Sequence, residues 1–364
     1  MLVLAKMLPT VVRKARTLLD AINDFQRDPL ACFEALDRGL QNRSCPAKPE
    51  VLGRVVAAYK AAKRDQQLAG PEHQANGQWS MIIERKLRTF DPDSLSVVLS
   101  NFFRNDAFEG LADYATIQDL GSRMNRIHFI NNMLHDYRTW CELVAKDVAA
   151  LQTPWVGNPF GYFIDGTLAV PGCFRHHYMA EKAVSLLRGS GVLAEIGCGY
   201  GELGYYALLS PGVHYVDFDL PEVLLVASYW LCNAMPQKQI VLFGEADIKS
   251  VLTNLGRYDA VLFPNFCLRE LPSDSVDVFL NTRSLSEMAS ETIDEYLRQI
   301  ARCCRYYFLH ENSDKPLERP GHTEVVASSF SIPGFRMLSK TLSPWKAGGG
   351  RYREFPVPAR PRGC

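Results

Sequence analysis

The chain has 364 residues, of which 47% are hydrophobic, and its 40 Lys and Arg balance its 40 Asp and Glu. This length is long for one domain and suits two. The zero formal net charge gives no electrostatic signal for nucleic acid. No apolar run approaches the ~18 residues that span a bilayer, and the first residues lack the features of a signal peptide. We therefore predict a cytoplasmic protein without nucleic-acid or membrane partners.

The 10 cysteines are scattered through apolar segments and include no C-x-x-C pair. This usage is typical of reduced, mostly buried thiols in a cytoplasmic protein. No clustered set of Asp, Asn and His indicates a required metal ion. The sequence therefore predicts neither a disulfide framework nor a metal site.

Hydrophobic residues recur at three- and four-residue steps from residue 1 to about 62 and again from 79 to 151, a spacing that predicts helices. Between these segments, residues 66–77 are polar and contain two turn-forming pairs, which indicates a loop. Pro92 marks a helix start within the second segment. We predict that residues 1–150 form an N-terminal helical domain that covers a substrate pocket, mediates homodimer formation, or both.

Residues 153–172 are rich in glycine, proline and aromatic residues. This composition predicts an ordered loop with a short hairpin around Asp165-Gly166. A helix is expected next, from about 174 to 187, and it begins with Arg175-His176-His177-Tyr178.

A glycine-rich segment follows a short apolar run and precedes a helical pattern: Glu195-Ile196-Gly197-Cys198-Gly199-Tyr200-Gly201-Glu202. Glycines allow a tight turn and a close approach to a ligand, and the next helix points its first N–H groups over the loop. Glu195 ends the strand, where it can face a cationic or hydroxyl-bearing ligand. The pattern is similar to the first motif of S-adenosyl-L-methionine (SAM) dependent methyltransferases. The same glycines, with Gly204, also satisfy the G-x-G-x-x-G fingerprint of dinucleotide-binding proteins.

Downstream of this motif, strands alternate with helices, which predicts a parallel sheet covered on both faces. The expected strands are 214–219, 240–243, 260–265, 276–281, 306–310, 336–340 and 351–355, and the expected helices are 222–235 and 291–304. The last two strands read as a hairpin, which is typical of methyltransferase sheets and not of dinucleotide-binding ones. The predicted fold class is α/β, with a Rossmann-like seven-stranded methyltransferase domain over 151–358, the N-terminal helical domain before it, and a disordered tail over 359–364.

Ligands of open α/β sheets bind outside the carboxyl ends of the strands, so the residues that follow each strand are candidates. After the second strand, we favour Asp219 over Asp217 as the carboxylate that accepts hydrogen bonds from ribose hydroxyls. After the third, Asn265 is favoured for the adenine amino group. Asp247 competes with Asn265, because the run at 240–243 is an alternative third strand.

Polar residues crowd the end of the fourth strand, in Asn281-Thr282-Arg283-Ser284-Leu285-Ser286-Glu287-Met288. Together with the glycine motif, the Asp-Leu-Pro-Glu of 219–222 and the Gly-Asn-Pro and Arg-His-His-Tyr segments, this stretch resembles a bacterial family of sugar O-methyltransferases over roughly residues 150–315. The resemblance implies SAM as cofactor and a small-molecule acceptor hydroxyl. The residues that would bind the cofactor are Glu195, Gly197, Gly199, Gly201, Asp219, Asn265 and Asn281.

A sugar hydroxyl is a weak nucleophile, so methyl transfer to it needs a general base. The candidates are His177, His176 and Glu287, with His310 and Glu311 also considered. Adjacent histidines on a helix point about 100° apart, so at most one of the pair faces the site. We expect His177→Ala to lower turnover more than SAM affinity. The candidate substrate-binding residues are Arg175, Tyr178, Arg283 and His310.

Arg283 suits a substrate carboxylate or phosphate, or else pairs with Glu287 four residues on. Other functions stay open at this point. The acceptor of a related methyltransferase could be a phenol, a hydroxamate or a nitrogen of a natural product. The chain could also be a nicotinamide-dependent oxidoreductase that uses the G-x-G-x-x-G glycines, or a ligand-binding module without catalysis.

Overall fold

A computed structural model of the protein describes residues 28–69, 92–108, 110–111, 114–316, 318–319, 322–345 and 350–359. The helical predictions for 1–27 and the loop predicted over 70–77 lie outside these residues. Within them, the α-helices are α1 Pro29–Leu40, α2 Pro49–Ala69, α3 Pro92–Leu99, α4 Tyr114–Asp119, α5 Arg123–Val144, α6 Cys173–Leu186, α7 Glu202–Leu208, α8 Pro221–Ala234, α9 Ile248–Thr253 and α10 Ser290–Cys303. The described part of the chain includes no helix with both the length and the apolar character needed to cross a membrane.

The strands of the same residues form one large sheet and two small hairpins. They are β1 Tyr162–Ile164, β2 Thr167–Ala169, β3 Gly191–Ile196, β4 Val213–Asp219, β5 Ile240–Leu242, β6 Ala260–Pro264, β7 Val276–Thr282, β8 Cys304–Ser313, β9 Glu318–Arg319, β10 His322–Thr323, β11 Thr341–Leu342 and β12 Tyr352–Pro358. β1 and β2 pair across Asp165 and Gly166, which confirms the hairpin predicted there.

The large sheet has the strand order β11-β12-β8-β7-β3-β4-β6-β5. Six adjacent strands of this sheet, β8, β7, β3, β4, β6 and β5, are parallel to one another. β12 is antiparallel to β8, and β11 is antiparallel to β12. This is the predicted Rossmann-like α/β architecture, but the described sheet has eight strands where seven were predicted. The prediction was wrong because both short apolar runs, at 240–242 and 260–264, enter the sheet and pair with each other.

The sheet separates two hydrophobic clusters, because successive residues of a strand point to opposite faces. On β3, Leu193 belongs to one cluster and Ala194 to the other, and Tyr215 and Val216 divide in the same way on β4. Both faces are therefore buried, as expected of parallel strands covered by helices. This arrangement leaves the carboxyl ends of the central strands as the place where a ligand can reach the sheet.

The described N-terminal helices pack directly on this α/β unit. Leu36 of α1 and Val55 of α2 belong to the same hydrophobic cluster as Leu193, and α2 packs along α8. Gly39 of α1 lies so close to the loop before β1 that an added Cβ would stand 2.1 Å from the carbonyl oxygen of Gly161. The division of the chain at residue 150, and a role of these helices as a lid or dimer contact, stay predictions.

Two boundaries differ from the sequence expectations. Helix α2 continues to Ala69, past the start of the loop predicted at 66. Residues 336–340 do not form the expected strand, although Leu338 N–H donates to Pro356 O at 3.1 Å. Proline has no N–H to return such a bond, and both Pro356 and Pro358 lie opposite this segment. The ladder therefore forms only at Thr341–Leu342, and the predicted late hairpin is shorter than expected.

Candidate functional site

A cavity of about 470 Å³ lies at the carboxyl ends of β3, β4, β6 and β7. It is lined by residues that immediately follow these strands and by the first turn of α6. Its lining includes Asp136, Arg175, His176, Gly197, Gly199, Asp219, Asn265, Arg283, Glu287, Trp345 and Tyr352. The position agrees with the general rule for ligand sites in open α/β sheets.

Three glycines of the loop after β3 share a backbone conformation that favours glycine, but they differ in their surroundings. Gly197, Gly199 and Gly201 all have positive φ angles, of 82°, 61° and 93°, which side chains rarely adopt. A Cβ on Gly197 would stand 2.2 Å from the Ser284 hydroxyl, whereas one on Gly199 would meet no atom within 4 Å. Gly197 and Gly199 line the cavity. Gly201 precedes α7 as its N-cap and is not among the lining residues.

Asp219 and Asn265 line the cavity next to the glycine loop. Asp219 ends β4 and accepts a hydrogen bond from Leu220 N–H at 2.7 Å. Its burial raises the pKa of this carboxyl group to about 7. Asn265 follows β6, which pairs with β4. Its competitor Asp247 is exposed and caps α9 by accepting from Ser250 N–H at 2.8 Å, so of the two only Asn265 lines the cavity.

Glu195 and Asn281 are buried beneath the loop and are not among the lining residues. Glu195 accepts a hydrogen bond from the Tyr215 hydroxyl at 2.6 Å, and burial raises its pKa to about 8. The Asn281 amide donates to the carbonyl oxygen of Ile196 at 2.7 Å. Each of these hydrogen bonds joins β3 to a neighbouring strand, β4 or β7. Glu195 and Asn281 therefore support the loop from below and do not line the cavity.

The two histidines of α6 have different surroundings. His176 lines the cavity, whereas His177 does not. His177 is buried against Tyr206 and accepts a hydrogen bond from the Trp140 indole N–H at 3.2 Å. Burial lowers its pKa to about 4. The structure therefore places His177 in the core, because the helix turns its side chain away from the strand ends.

His176 forms a short contact with a carboxylate that our sequence reasoning missed. Its Nδ1 lies 2.6 Å from Oε2 of Glu202, and its Nε2 lies 2.5 Å from a guanidinium nitrogen of Arg175. Because a guanidinium only donates, Nε2 accepts and Nδ1 carries the proton. Burial, followed by the charge of Arg175, holds the pKa of His176 well below its usual value. Burial also raises the pKa of Glu202 to about 8.

Glu202 was within reach of the sequence analysis. It is the first residue of α7 and directly follows the last glycine of the loop. It is 1% exposed, so the fold buries an acidic residue beside the cavity. The signal was an acidic residue inside the glycine motif; its partner, 26 positions earlier, could not be read from the sequence.

The side chain of Arg283 is fixed by contacts with two residues, Glu311 and Tyr352. Its Nε and Nη2 donate to Oε1 of Glu311 at 3.1 and 2.8 Å, and its guanidinium lies 4.1 Å from the centre of the Tyr352 ring. Its backbone has a φ of 66°, in a region that costs a side-chain-bearing residue of order 1–3 kcal/mol. Arg283 pairs with Glu311 and not with Glu287, the alternative that the sequence left open.

Two of the predicted substrate-binding residues lie away from the cavity lining. His310 is stacked between Phe308 and Phe355, with ring centres 4.7 and 4.5 Å away, and burial lowers its pKa to about 3. The Tyr178 hydroxyl donates to Glu354 at 3.1 Å. Glu287, by contrast, does line the cavity. Of the residues predicted to act on the substrate, Arg175, His176, Arg283 and Glu287 are brought together.

Cys198, Asp217 and Asp219 form one three-residue group in the described part of the chain whose polar atoms all lie within 4.8 Å of one another. Burial, with the charges of Asp219 and Glu195, raises the pKa of Asp217 well above its usual value. Metal ions bind the deprotonated forms of such ligands. A cation bound here would therefore compete with protons for the oxygens of Asp217 and Asp219.

No protein-family model matches the chain, and no curated protein matches its sequence. Similar solved structures include a 1,6-didemethyltoxoflavin N1-methyltransferase from Burkholderia thailandensis with bound S-adenosylhomocysteine, at 15% identity and a TM-score of 0.35, covering 50% of this chain and 76% of that one. Another is the mitomycin 7-O-methyltransferase, at 15% identity and a TM-score of 0.35, covering 84% and 95%.

A third is the magnesium protoporphyrin IX methyltransferase of Synechocystis PCC 6803 with bound SAM, at 12% identity and a TM-score of 0.34, covering 51% and 81%. At this low similarity, we do not assign the ligands or reactions of these proteins to this chain. What this chain's own sheet order, glycine loop and cavity define is an open α/β protein with a ligand site at the carboxyl ends of its parallel strands.

Proposed function

We propose that the protein is a SAM-dependent O-methyltransferase that transfers a methyl group to a hydroxyl of a small molecule, with a sugar or glycan precursor as the first candidate. The observation that carries this proposal is the cavity over the glycine loop and Asp219 in a sheet whose parallel strands are followed by antiparallel β12. A natural-product O- or N-methyltransferase would have the same cofactor site, so the acceptor screen below includes such compounds.

The residues of the glycine-loop side fit the cofactor. Gly199 has a positive φ and open space where its Cβ would be. A ligand can occupy this space, whereas a side chain at position 199 would fill it. Asp219 would accept hydrogen bonds from the ribose hydroxyls, and Asn265 would meet the adenine amino group. When bound, SAM supplies an electrophilic methyl group on its sulfonium. Glu195, Gly201 and Asn281 would support this side of the cavity from beneath.

We assign the general base to His176. Its imidazole is neutral, since burial and Arg175 depress its pKa, and the tautomer set by Arg175 and Glu202 leaves the lone pair on Nε2. The proton of the acceptor hydroxyl would pass to Nε2 as the oxygen gains the methyl group. Glu202, 2.6 Å from Nδ1, would hold the ring in place, and its ionised form, which gains population as the pH rises toward 8, would stabilise the imidazolium. Arg175 would have to exchange its contact with Nε2 for another acceptor.

A nicotinamide-dependent oxidoreductase is the second candidate, because one contact favours it. A Cβ on Gly204 would stand 2.5 Å from the Tyr215 ring, and close helix–strand packing is the role of the third glycine in the dinucleotide fingerprint. The antiparallel β12 beside β8 favours a methyltransferase instead. The glycines alone therefore do not decide the cofactor, and a binding experiment has to.

That experiment is calorimetric titration of the purified protein with S-adenosylhomocysteine, NADH and NADPH. We expect S-adenosylhomocysteine alone to bind, with a Kd of roughly micromolar order, about −8 kcal/mol. Binding of a nicotinamide nucleotide alone would overturn the cofactor assignment and support the nicotinamide-dependent oxidoreductase instead. Transfer of label from methyl-labelled SAM to pools of sugars, nucleotide-sugars, phenols and amines would then identify the acceptor class.

A further inference from the structure

We propose that Arg175 and Arg283 form a binding site for an anionic group of the acceptor, so that the substrate carries a carboxylate or a phosphate beside the hydroxyl that is methylated. This inference rests on the proposed function, and it narrows the substrate class of the same cavity. Both arginines line the cavity. They come from α6 and from the end of β7, so the fold brings two guanidinium groups to one wall.

The two arginines share a single carboxylate. Glu311 is 0% exposed; its Oε1 accepts from Arg283 and from the Ser343 hydroxyl at 2.8 Å, and its Oε2 lies 3.5 Å from Arg175. Burial alone would raise the pKa of Glu311, but the charges of Arg283 and Arg175 outweigh it and hold the pKa below its usual value. The two guanidinium groups therefore share one carboxylate, which leaves N–H groups of both arginines for the oxygens of a ligand.

Buried charges are normally paired, because an unpaired charge loses its favourable hydration when it is removed from water. The side chains of Arg175 and Arg283 are only 14% and 17% exposed, so solvent compensates them incompletely. An anion that entered the cavity would give the two arginines a second acidic partner beside Glu311. The planar guanidinium groups suit the paired oxygens of a carboxylate or phosphate.

The site is pre-organised and has donors to spare. Glu311 takes two of the five N–H groups of Arg283, which leaves three for a ligand, and Tyr352 fixes the plane of the guanidinium. Trp345 lines the same cavity, and its buried indole N–H has no hydrogen-bond partner among the described residues.

Arg175 links this site to the proposed base. One of its nitrogens donates to Nε2 of His176 at 2.5 Å, the atom that has to accept the acceptor's proton. An anion that binds Arg175 would draw this donor away and free Nε2 for the hydroxyl. Asp136 and Glu287 also line the cavity and would accept hydrogen bonds from hydroxyl groups. A phosphorylated or carboxylated sugar would offer an anionic group to the arginines and hydroxyl groups to these two carboxylates.

The test uses the full chain saturated with S-adenosylhomocysteine and follows binding of four probes by calorimetry: glucose, glucuronate, glucose 6-phosphate and inorganic phosphate. We expect at least one anionic sugar to bind about tenfold or more tightly than glucose. The comparison of glucuronate with glucose 6-phosphate distinguishes a carboxylate from a phosphate. Equal affinity for glucose and both anionic sugars, or no anion binding up to about 10 mM, would overturn the proposal.

The variants are Arg283→Gln, Arg283→Lys and, as a matched control, Arg351→Gln. Arg351 also contacts Tyr352 and pairs with a buried glutamate, Glu324, but it is not among the cavity-lining residues. Arg283→Gln should weaken the anionic sugar about 10- to 100-fold, Arg283→Lys should weaken it less, and Arg351→Gln should leave its affinity within about threefold. An equal loss in Arg351→Gln would overturn the site, and the melting temperature of each variant checks that it folds.

The amino-acid carboxylate of the cofactor is the rival occupant of these arginines. In that case Arg283→Gln would weaken S-adenosylhomocysteine but not 5′-methylthioadenosine, which lacks the amino acid, and the proposal would be wrong. We expect both affinities to stay within about threefold of the unmutated protein. Failure of S-adenosylhomocysteine to bind would instead overturn the proposed function, whereas arginine-dependent binding of the anion alone would still support the anion site.

Discussion

The two sides of the cavity are built by different means. The glycine-loop side is made of backbone, at Gly197 and Gly199, and of one carboxylate, Asp219, all within 23 residues of sequence. The opposite side is made of side chains that converge from distant positions, such as Arg175 and Arg283, and that are held by the buried Glu311. The first depends on the absence of side chains; the second depends on a buried counter-charge.

The largest effect on cofactor binding is expected on the glycine-loop side, from Gly199→Val. Its φ of 61° disfavours a β-branched residue, and the new side chain would occupy the open space above the loop. We expect S-adenosylhomocysteine binding to fall by at least about 100-fold in calorimetry. The matched control is Gly166→Val, which has a similar φ of 84° and equally open space but lies in the β1–β2 turn. Equal affinities of the two variants would refute our placement of the cofactor.

The adjacent histidines of α6 test the opposite side. With an acceptor in hand, His176→Ala should lower kcat by about 10²- to 10⁴-fold and leave the Kd of S-adenosylhomocysteine nearly unchanged. His177→Ala should instead lower the free energy of unfolding by about 1–3 kcal/mol, because the Trp140 N–H loses its buried acceptor. Loss of methyl transfer in His177→Ala, with an unchanged free energy of unfolding, would instead identify His177 as the general base.

The smallest effect is a pH dependence on the glycine-loop side. Burial raises the pKa of Asp219 to about 7, and only the ionised carboxylate accepts hydrogen bonds from both ribose hydroxyls. Because the ligand favours the deprotonated form, affinity for S-adenosylhomocysteine should rise as pH increases from 6 to 8. The rise should be at most about tenfold per pH unit. Asp219→Asn should bind more weakly and show a flat profile; an unchanged slope would assign the titration to another group.

The same contrast explains which predictions the structure agreed with. The glycine loop, the hairpin at Asp165-Gly166 and the helix at Cys173–Leu186 are local, since turn chemistry and hydrophobic period specify each of them. The segment 336–340 does not form the predicted strand, because it lies opposite Pro356 and Pro358 of β12. These prolines have no N–H to donate to it. Local patterns indicated that these two segments pair, but not the register in which they would meet.

The choice between His176 and His177 shows the limit more sharply. Helical spacing alone states that one of them faces the strand ends, but not which one. Packing decides it: Trp140 of α5 and Tyr206 of α7 enclose His177, and Glu202 receives His176. None of these three partners is adjacent to the histidines in sequence.

By itself, the sequence determined the α/β class, the glycine loop and the acidic residue that ends β4, because each follows from short-range spacing and backbone conformational preference. Only the tertiary structure decided that Glu202 orients His176, that Glu311 holds Arg175 and Arg283 together, and that His310 is buried. These contacts join residues 26 to 136 positions apart. Burial and charge at such a distance depend on how the strands pair and the helices pack, which no local pattern specifies.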